Sequence, residues 1–196
     1  MTQRDLSTTV SSWTVLFMSK EKTMTEPITI RRISITQLDT DAIVNAANEG
    51  LWAGSGVCGA IFAAAGRSRL QKACDAIGHC DTGSAVITPG FDLAAKYVIH
   101  AVGPIWNGGS RGEPELLYGA YRRSLELAAE NGCRSIGFPL ISAGIYGYPL
   151  RAAWEVAVRA CRDFLAAHPG SPLKIVFAVL DDGVMAVGKK VLEEIS

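Results

Sequence analysis

The sequence predicts an α/β sandwich with a mostly parallel sheet. Short apolar strand-like segments alternate with helix-length amphipathic segments along the chain. Lys174 to Leu180 reads as a continuous apolar strand, the pattern of a strand buried on both faces. Ala42 to Ala46 reads as a buried strand, and it leads through a glycine loop into a helix. In such sheets, ligands sit outside the carboxyl ends of the strands.

The remaining elements follow in order. Ile28-Thr29-Ile30 and Ile33-x-Ile35 alternate as a strand does. Thr36 to Asp41 is expected to turn. Val57 to Ala65 predicts a helix stopped by Gly66, and Ser68 to Ile77 a second one followed by Gly78. Ala85 to Thr88 and Tyr97 to Val102 predict strands around a Pro-Gly turn. Trp106 to Gly112 is a glycine-rich loop. Glu115 to Glu130 predicts a long amphipathic helix capped by Asn131-Gly132. Ser135 to Leu140 is a strand, Leu150 to Ala167 a helix, and Val184 to Glu194 the last helix. No repeat or linker divides the chain.

At 196 residues, one domain with a substantial core is expected. Hydrophobic content of 48% and charged content of 19% fit a compact soluble protein. The formal net charge is zero, without the basic footprint that nucleic-acid binding leaves. No apolar run reaches the length of a membrane span, so no membrane partner is expected. The cluster Trp13 to Met18 is too short for one, and its flanks are wrong for a signal-peptide core. Residues 1–26 are rich in Thr and Ser without a period, and they are expected to be a disordered extension before a domain at 27–196.

The five cysteines, Cys58, Cys74, Cys80, Cys133 and Cys161, match no disulfide scaffold, which points to a reducing, cytoplasmic setting. His79-Cys80 with Cys74 lacks the C-x-x-C pairing of a metal site, and no metal or cofactor is expected. His100 lies inside an apolar strand, where a satisfied core histidine is the expected role.

Two loops stand out chemically. Gly54-Ser55-Gly56-Val57-Cys58 opens the first helix, and Ser142-Ala143-Gly144-Ile145-Tyr146 follows an apolar strand. Both can offer backbone N–H groups to an anion without Lys or Arg. The first is no Walker loop, because Val57-Cys58 stands where Lys-Ser/Thr is needed. It matches G-x-G-x-x-G at Gly54, Gly56 and Gly59, but the loop starts eight residues after the strand and lacks the acidic residue at a strand end. Spacing alone leaves a phosphate loop and a plain turn before a core helix both open.

Four motifs resolve that choice by resemblance. Val44-Asn45-Ala46-Ala47-Asn48, the loop Gly54 to Ile61 and Ala64-Ala65-Gly66 form the first. Thr82 to Thr88, Tyr97 to Pro104 and Phe138 to Pro149 form the others. Together, in this order, they resemble the macrodomain family of ADP-ribose-binding modules over residues 28 to 195. The closest group is the hydrolase type, which removes ADP-ribose from acidic side chains and deacetylates O-acetyl-ADP-ribose. The resemblance implies a three-layer α/β/α sandwich with a mixed, mostly parallel central sheet.

It also implies site roles. Asn48 would orient the distal ribose and the attacking water, and Tyr146 would bound the pocket beside that ribose. Ala46, the 54–57 loop and the 142–145 loop would contact the ligand, and Ser34 with the Ile35 N–H would face adenine. Tyr148, beside Pro149, reads as a core ring, and Asn45 as an amide that secures loop backbone. Two positions depart from the family pattern. Cys58 replaces an Asp that is usual in hydrolase-type members, although some viral hydrolases also carry V-C or V-A there. A thiolate at a helix N-terminus could take part of that Asp's role. Ser34 replaces an Asp that accepts a bond from the adenine amine, so adenine recognition is expected to be weaker.

The expected function is binding of ADP-ribose and hydrolysis of ADP-ribosyl esters, with Asn48, Cys58 and Tyr146 as catalytic candidates. The expected partner is ADP-ribose or an ADP-ribosylated protein; oligomeric state is left open. Two other readings stay open: a reader that binds without hydrolysis, and a regulatory or RNA-interacting protein that uses the fold for contacts.

Overall fold

The computed structural model describes residues 26–195. The expectation for residues 1–26 lies, except for Glu26, outside the described residues. The strands are β1 (Ile28–Arg32), β2 (Ala42–Ala46), β3 (Ala85–Pro89), β4 (Tyr97–Ala101), β5 (Ser135–Phe138) and β6 (Lys174–Val179). The helices are α1 (Gly56–Ala65), α2 (Arg67–Ile77), α3 (Glu113–Glu130), α4 (Leu150–Ala167) and α5 (Asp182–Glu194).

They form one six-stranded sheet in the order β1-β6-β5-β2-β4-β3. Four of its pairings are parallel, and β3 runs antiparallel to β4. The reversal follows from the Pro89-Gly90 turn, closed by the Gly90 N–H to the Lys96 carbonyl at 2.7 Å. A mixed three-layer sandwich results.

Side-chain alternation sorts the strands between two cores. On β2, Ala42 and Val44 join the core under α3, α4 and α5, while Ile43 joins the core under α1 and α2. The larger core is built on aromatics. Trp154 packs edge-on to Phe177 with ring centroids 5.0 Å apart, and Tyr121 tilts against Phe138 at 5.2 Å. Fully burying each such side chain is worth about 1.5–3 kcal/mol. The Trp154 Nε1–H donates to the Val184 carbonyl at 3.0 Å, so its one polar atom is satisfied.

One element differs in kind from the sequence reading. Ile33-Ser34-Ile35 does not continue β1. The strand ends at Arg32, opposite Val179 where β6 also ends. A 3-10 turn follows at Ile35–Gln37, with Ser34 at its N-cap position. The reason is burial: Ile35 and Leu38, three apart, both enter the α1/α2 core, which a strand could not arrange. Other boundaries move by one or two residues. Chief among them, α1 starts at Gly56, α3 at Glu113 and α5 at Asp182, and β5 stops at Phe138.

His100 is a core histidine. It is fully buried in β4, where Asn45 Nδ2 meets its Nδ1 at 3.1 Å and the Thr88 hydroxyl its Nε2 at 2.9 Å. Burial pulls its pKa down to about 4. Asn45 was expected to secure loop backbone, and it does not. Its position in β2 points its amide into the sheet face, at His100 in the same register on β4.

Candidate functional site

Strands β5, β2 and β4 are neighbours and parallel, so their carboxyl ends share one edge of the sheet. A cavity of about 470 Å³ opens there, within the usual 300–1,000 Å³ of small-molecule sites. After β2 its wall is Ala46, Ala47 and Asn48, then Gly54 to Cys58. After β4 it is Gly103, and after β5 it is Pro139 to Ser142 with Gly144 to Tyr146. Both loops singled out in the sequence therefore meet on one space.

The α1 end of the cavity is an open helix N-terminus. Ser55 takes the N-cap position in an extended conformation, yet its side chain makes no capping bond. The first-turn N–H groups are left for a ligand, with the positive end of the helix dipole behind them. Gly56 begins the helix at φ 59°, a conformation that favours glycine. Gly59 lets the loop fold back on the helix, because a Cβ there would stand 2.8 Å from the Gly54 carbonyl oxygen.

Cys58 closes that loop from inside. It is buried, and its Sγ accepts the Gly54 N–H at 3.3 Å while facing the Trp52 carbonyl at 3.9 Å. The sulfur is thus a brace between helix and loop as well as part of the cavity wall.

Asn48 is half-buried and bonds Trp52 twice: Nδ2–H donates to the carbonyl at 2.9 Å, and Oδ1 accepts the N–H at 3.2 Å. An amide has two donor hydrogens and two acceptor lone pairs. Each end keeps one bond free for the cavity. The turn-supporting role and a ligand role coexist in one side chain.

The opposite wall is shaped by Ser142, which adopts φ 64°. Its carbonyl accepts the Tyr148 N–H at 3.0 Å, and Gly144 accepts the Gly147 N–H at 2.9 Å. The Ser142 hydroxyl is buried without a partner. It lies against Gly103, where a Cβ would stand 2.3 Å from it. Gly144 has nothing within 4 Å of where its Cβ would be. Ile145 is 82% exposed at the rim. Tyr148 is buried and packs its ring on Trp106 with centroids 4.6 Å apart, the core role expected for it. The Trp106 N–H donates to the Tyr146 carbonyl at 2.9 Å, which ties the 105–112 loop to the cavity wall.

Of the residues expected from sequence, Ala46, Asn48, Gly54, Ser55, Gly56, Val57, Cys58, Ser142, Gly144, Ile145 and Tyr146 line the cavity. Ser34, Ile35 and Ala143 are not in its walls. The Ser34 hydroxyl pairs with that of Thr36 at 2.9 Å, and the Ile35 side chain is buried in the core. Sequence reasoning missed Ala47, Gly103, Pro139, Leu140 and Ile141 as wall residues. The signal for Gly103 was available: a glycine directly after an apolar strand permits close approach of the facing loop.

Known proteins share this sequence pattern and fold. The family model described as Macro domain matches residues 44–157. A Cronobacter turicensis protein named O-acetyl-ADP-ribose deacetylase is 50% identical over 163 residues, covering 81% of this chain and 92% of that protein. The Oceanobacillus iheyensis macrodomain solved with ADP superposes with a TM-score of 0.80 at 37% identity, covering 85% of this chain and 90% of that one. The Trypanosoma brucei macrodomain in complex with ADP-ribose gives a TM-score of 0.77 at 41% identity, over 83% of this chain and 68% of that one. With a half-identical relative matched over nearly its whole length, the chain belongs to the macrodomain family.

Proposed function

We propose that the cavity binds ADP-ribose and hydrolyses its esters, with O-acetyl-ADP-ribose and ADP-ribosylated acidic side chains as the substrate class. One observation carries this reading: an uncapped helix N-terminus, a second backbone loop and an amide with spare bonds all face one cavity at the sheet edge. The relative named O-acetyl-ADP-ribose deacetylase and the solved complexes with ADP and ADP-ribose support it.

The diphosphate lies between the α1 N-terminus and the 142–146 loop, held by backbone N–H groups rather than cationic side chains. That suits a chain of zero net charge. Holding the nucleotide in a fixed pose contributes orientation to the reaction. Asn48 uses its spare donor and acceptor on the distal ribose and a water, and Tyr146 closes that end. Water adds across the ester bond. The products are ADP-ribose with its hydroxyl restored and a free carboxylate, with one proton released. Cys58 braces the loop that carries the phosphate contacts. The five free, buried thiols support a proposed reducing, cytoplasmic setting.

A reader that binds without turnover is the second reading, favoured by Cys58 at the position where the family resemblance leads one to expect an Asp in many hydrolase-type members. A turnover assay with a mono-ADP-ribosylated acidic protein and with O-acetyl-ADP-ribose separates the two. Release of ADP-ribose from either substrate supports the hydrolase. Tight binding without release replaces it with the reader.

A further inference from the structure

Among the described residues, one buried charge outside the cavity wall has no partner of opposite sign. Glu113 is the first residue of α3 and is 1% exposed. Its carboxylate accepts three backbone N–H groups: Asn107 at 2.9 Å, Gly109 at 3.2 Å and Arg111 at 2.6 Å. Three donors from alternate residues wrap the loop around the carboxylate, as a backbone nest wraps an anion. Burial raises the pKa of this carboxyl, but the N–H groups around it outweigh burial and hold it below the ordinary value.

What the loop then does is positional. Its first residue, Trp106, gives its N–H to the Tyr146 carbonyl at 2.9 Å and its ring to Tyr148 at 4.6 Å. A Cβ on Gly109 would stand 2.7 Å from the Trp106 ring, so the loop also packs against that ring. Tyr146 lines the cavity. A continuous chain of contacts therefore runs from Glu113 through the 106–112 backbone and Trp106 to the cavity wall. No residue in this chain before Tyr146 touches the cavity.

We propose that Glu113 is a positioning residue for the distal-ribose end of the site, acting through the 106–112 loop and Trp106 to fix Tyr146. This rests on the ADP-ribose reading above. Glu113→Gln keeps the shape but replaces one acceptor oxygen with an NH2, which faces a backbone donor and opens the loop. The α1 N-terminus and its anion contacts lie on a different loop and should be untouched.

The test is a titration of wild type and variant with both ADP-ribose and ADP, together with thermal unfolding. In the variant, ADP-ribose affinity should fall by roughly tenfold, the scale of one lost contact. ADP affinity should fall by less, because ADP keeps the α1 N-terminal contacts and lacks the distal ribose. Trp106→Ala, which cuts the chain of contacts further along, should give the same split and decides the matter should Glu113→Gln not fold. Equal losses for both ligands, or no loss in folded variants, overturns the proposal while wild-type binding stands. Wild type that binds neither nucleotide overturns the functional reading, and this inference with it.

Discussion

Asn48 and Trp52 hold each other through both ends of one amide, at 2.9 Å and 3.2 Å. The side chain thus fixes the loop and still faces the cavity with half of its bonding capacity. Asn48→Ala removes both functions. Loop stability should drop by about 1 kcal/mol per lost bond at most. Turnover of an ADP-ribosyl ester should drop much further than ADP-ribose affinity, because orientation of water matters only on the way to the transition state. Parallel kinetic and binding measurements check this. Equal losses in both would reduce Asn48 to a loop brace.

Gly144 offers a cleaner probe of the second loop. Nothing stands within 4 Å of its Cβ position, so the fold should tolerate a side chain. Gly144→Glu places bulk and negative charge where the diphosphate is proposed to lie. Binding of ADP-ribose should weaken by more than about tenfold, or about 1.4 kcal/mol, with unfolding unchanged. A folded variant with wild-type affinity would remove this loop from the site.

Cys58 tests whether a carboxylate is needed. A carboxylate in its place can still accept the Gly54 N–H that the sulfur now accepts. Cys58→Asp should therefore keep the loop closed and leave turnover equal or higher. A clear fall in the rate constant with intact ADP-ribose binding would assign the thiol a role of its own.

His100 makes stability depend on pH. Its ordinary value of 6.5 falls to about 4 through burial. A depressed histidine pKa means that the folded state resists a proton the unfolded state accepts. Its neutral form costs nothing above pH 6.5, and stability declines as pH falls from 6.5 to about 4. At about 1.4 kcal/mol per pH unit, the loss is about 3 kcal/mol. Urea unfolding across that range should show the decline, and His100→Gln, which cannot titrate, should flatten it. An equally steep curve in the variant would assign the acid sensitivity elsewhere.

Much of the fold was legible because strands and helices alternate with clear apolar patterns, and β6 in particular announced itself as a continuous apolar run. Ile33-Ser34-Ile35 was misread because three residues cannot distinguish strand alternation from the first half of an i, i+3 pair completed by Leu38. The two loops that line the cavity were legible because glycines follow apolar strands. The buttress from Glu113 through Trp106 to Tyr146 was not, because its bonds go to backbone atoms and leave no residue-type signature. Asn45 was misassigned for a related reason: its partner His100 lies 55 positions away, and only the strand register brings them together.

Calorimetric titration of the wild-type protein with ADP-ribose tests the central claim most directly. The account predicts saturable one-to-one binding that Gly144→Glu abolishes or sharply weakens. A wild-type protein that gives no heat of binding with ADP-ribose, while folded, would contradict it.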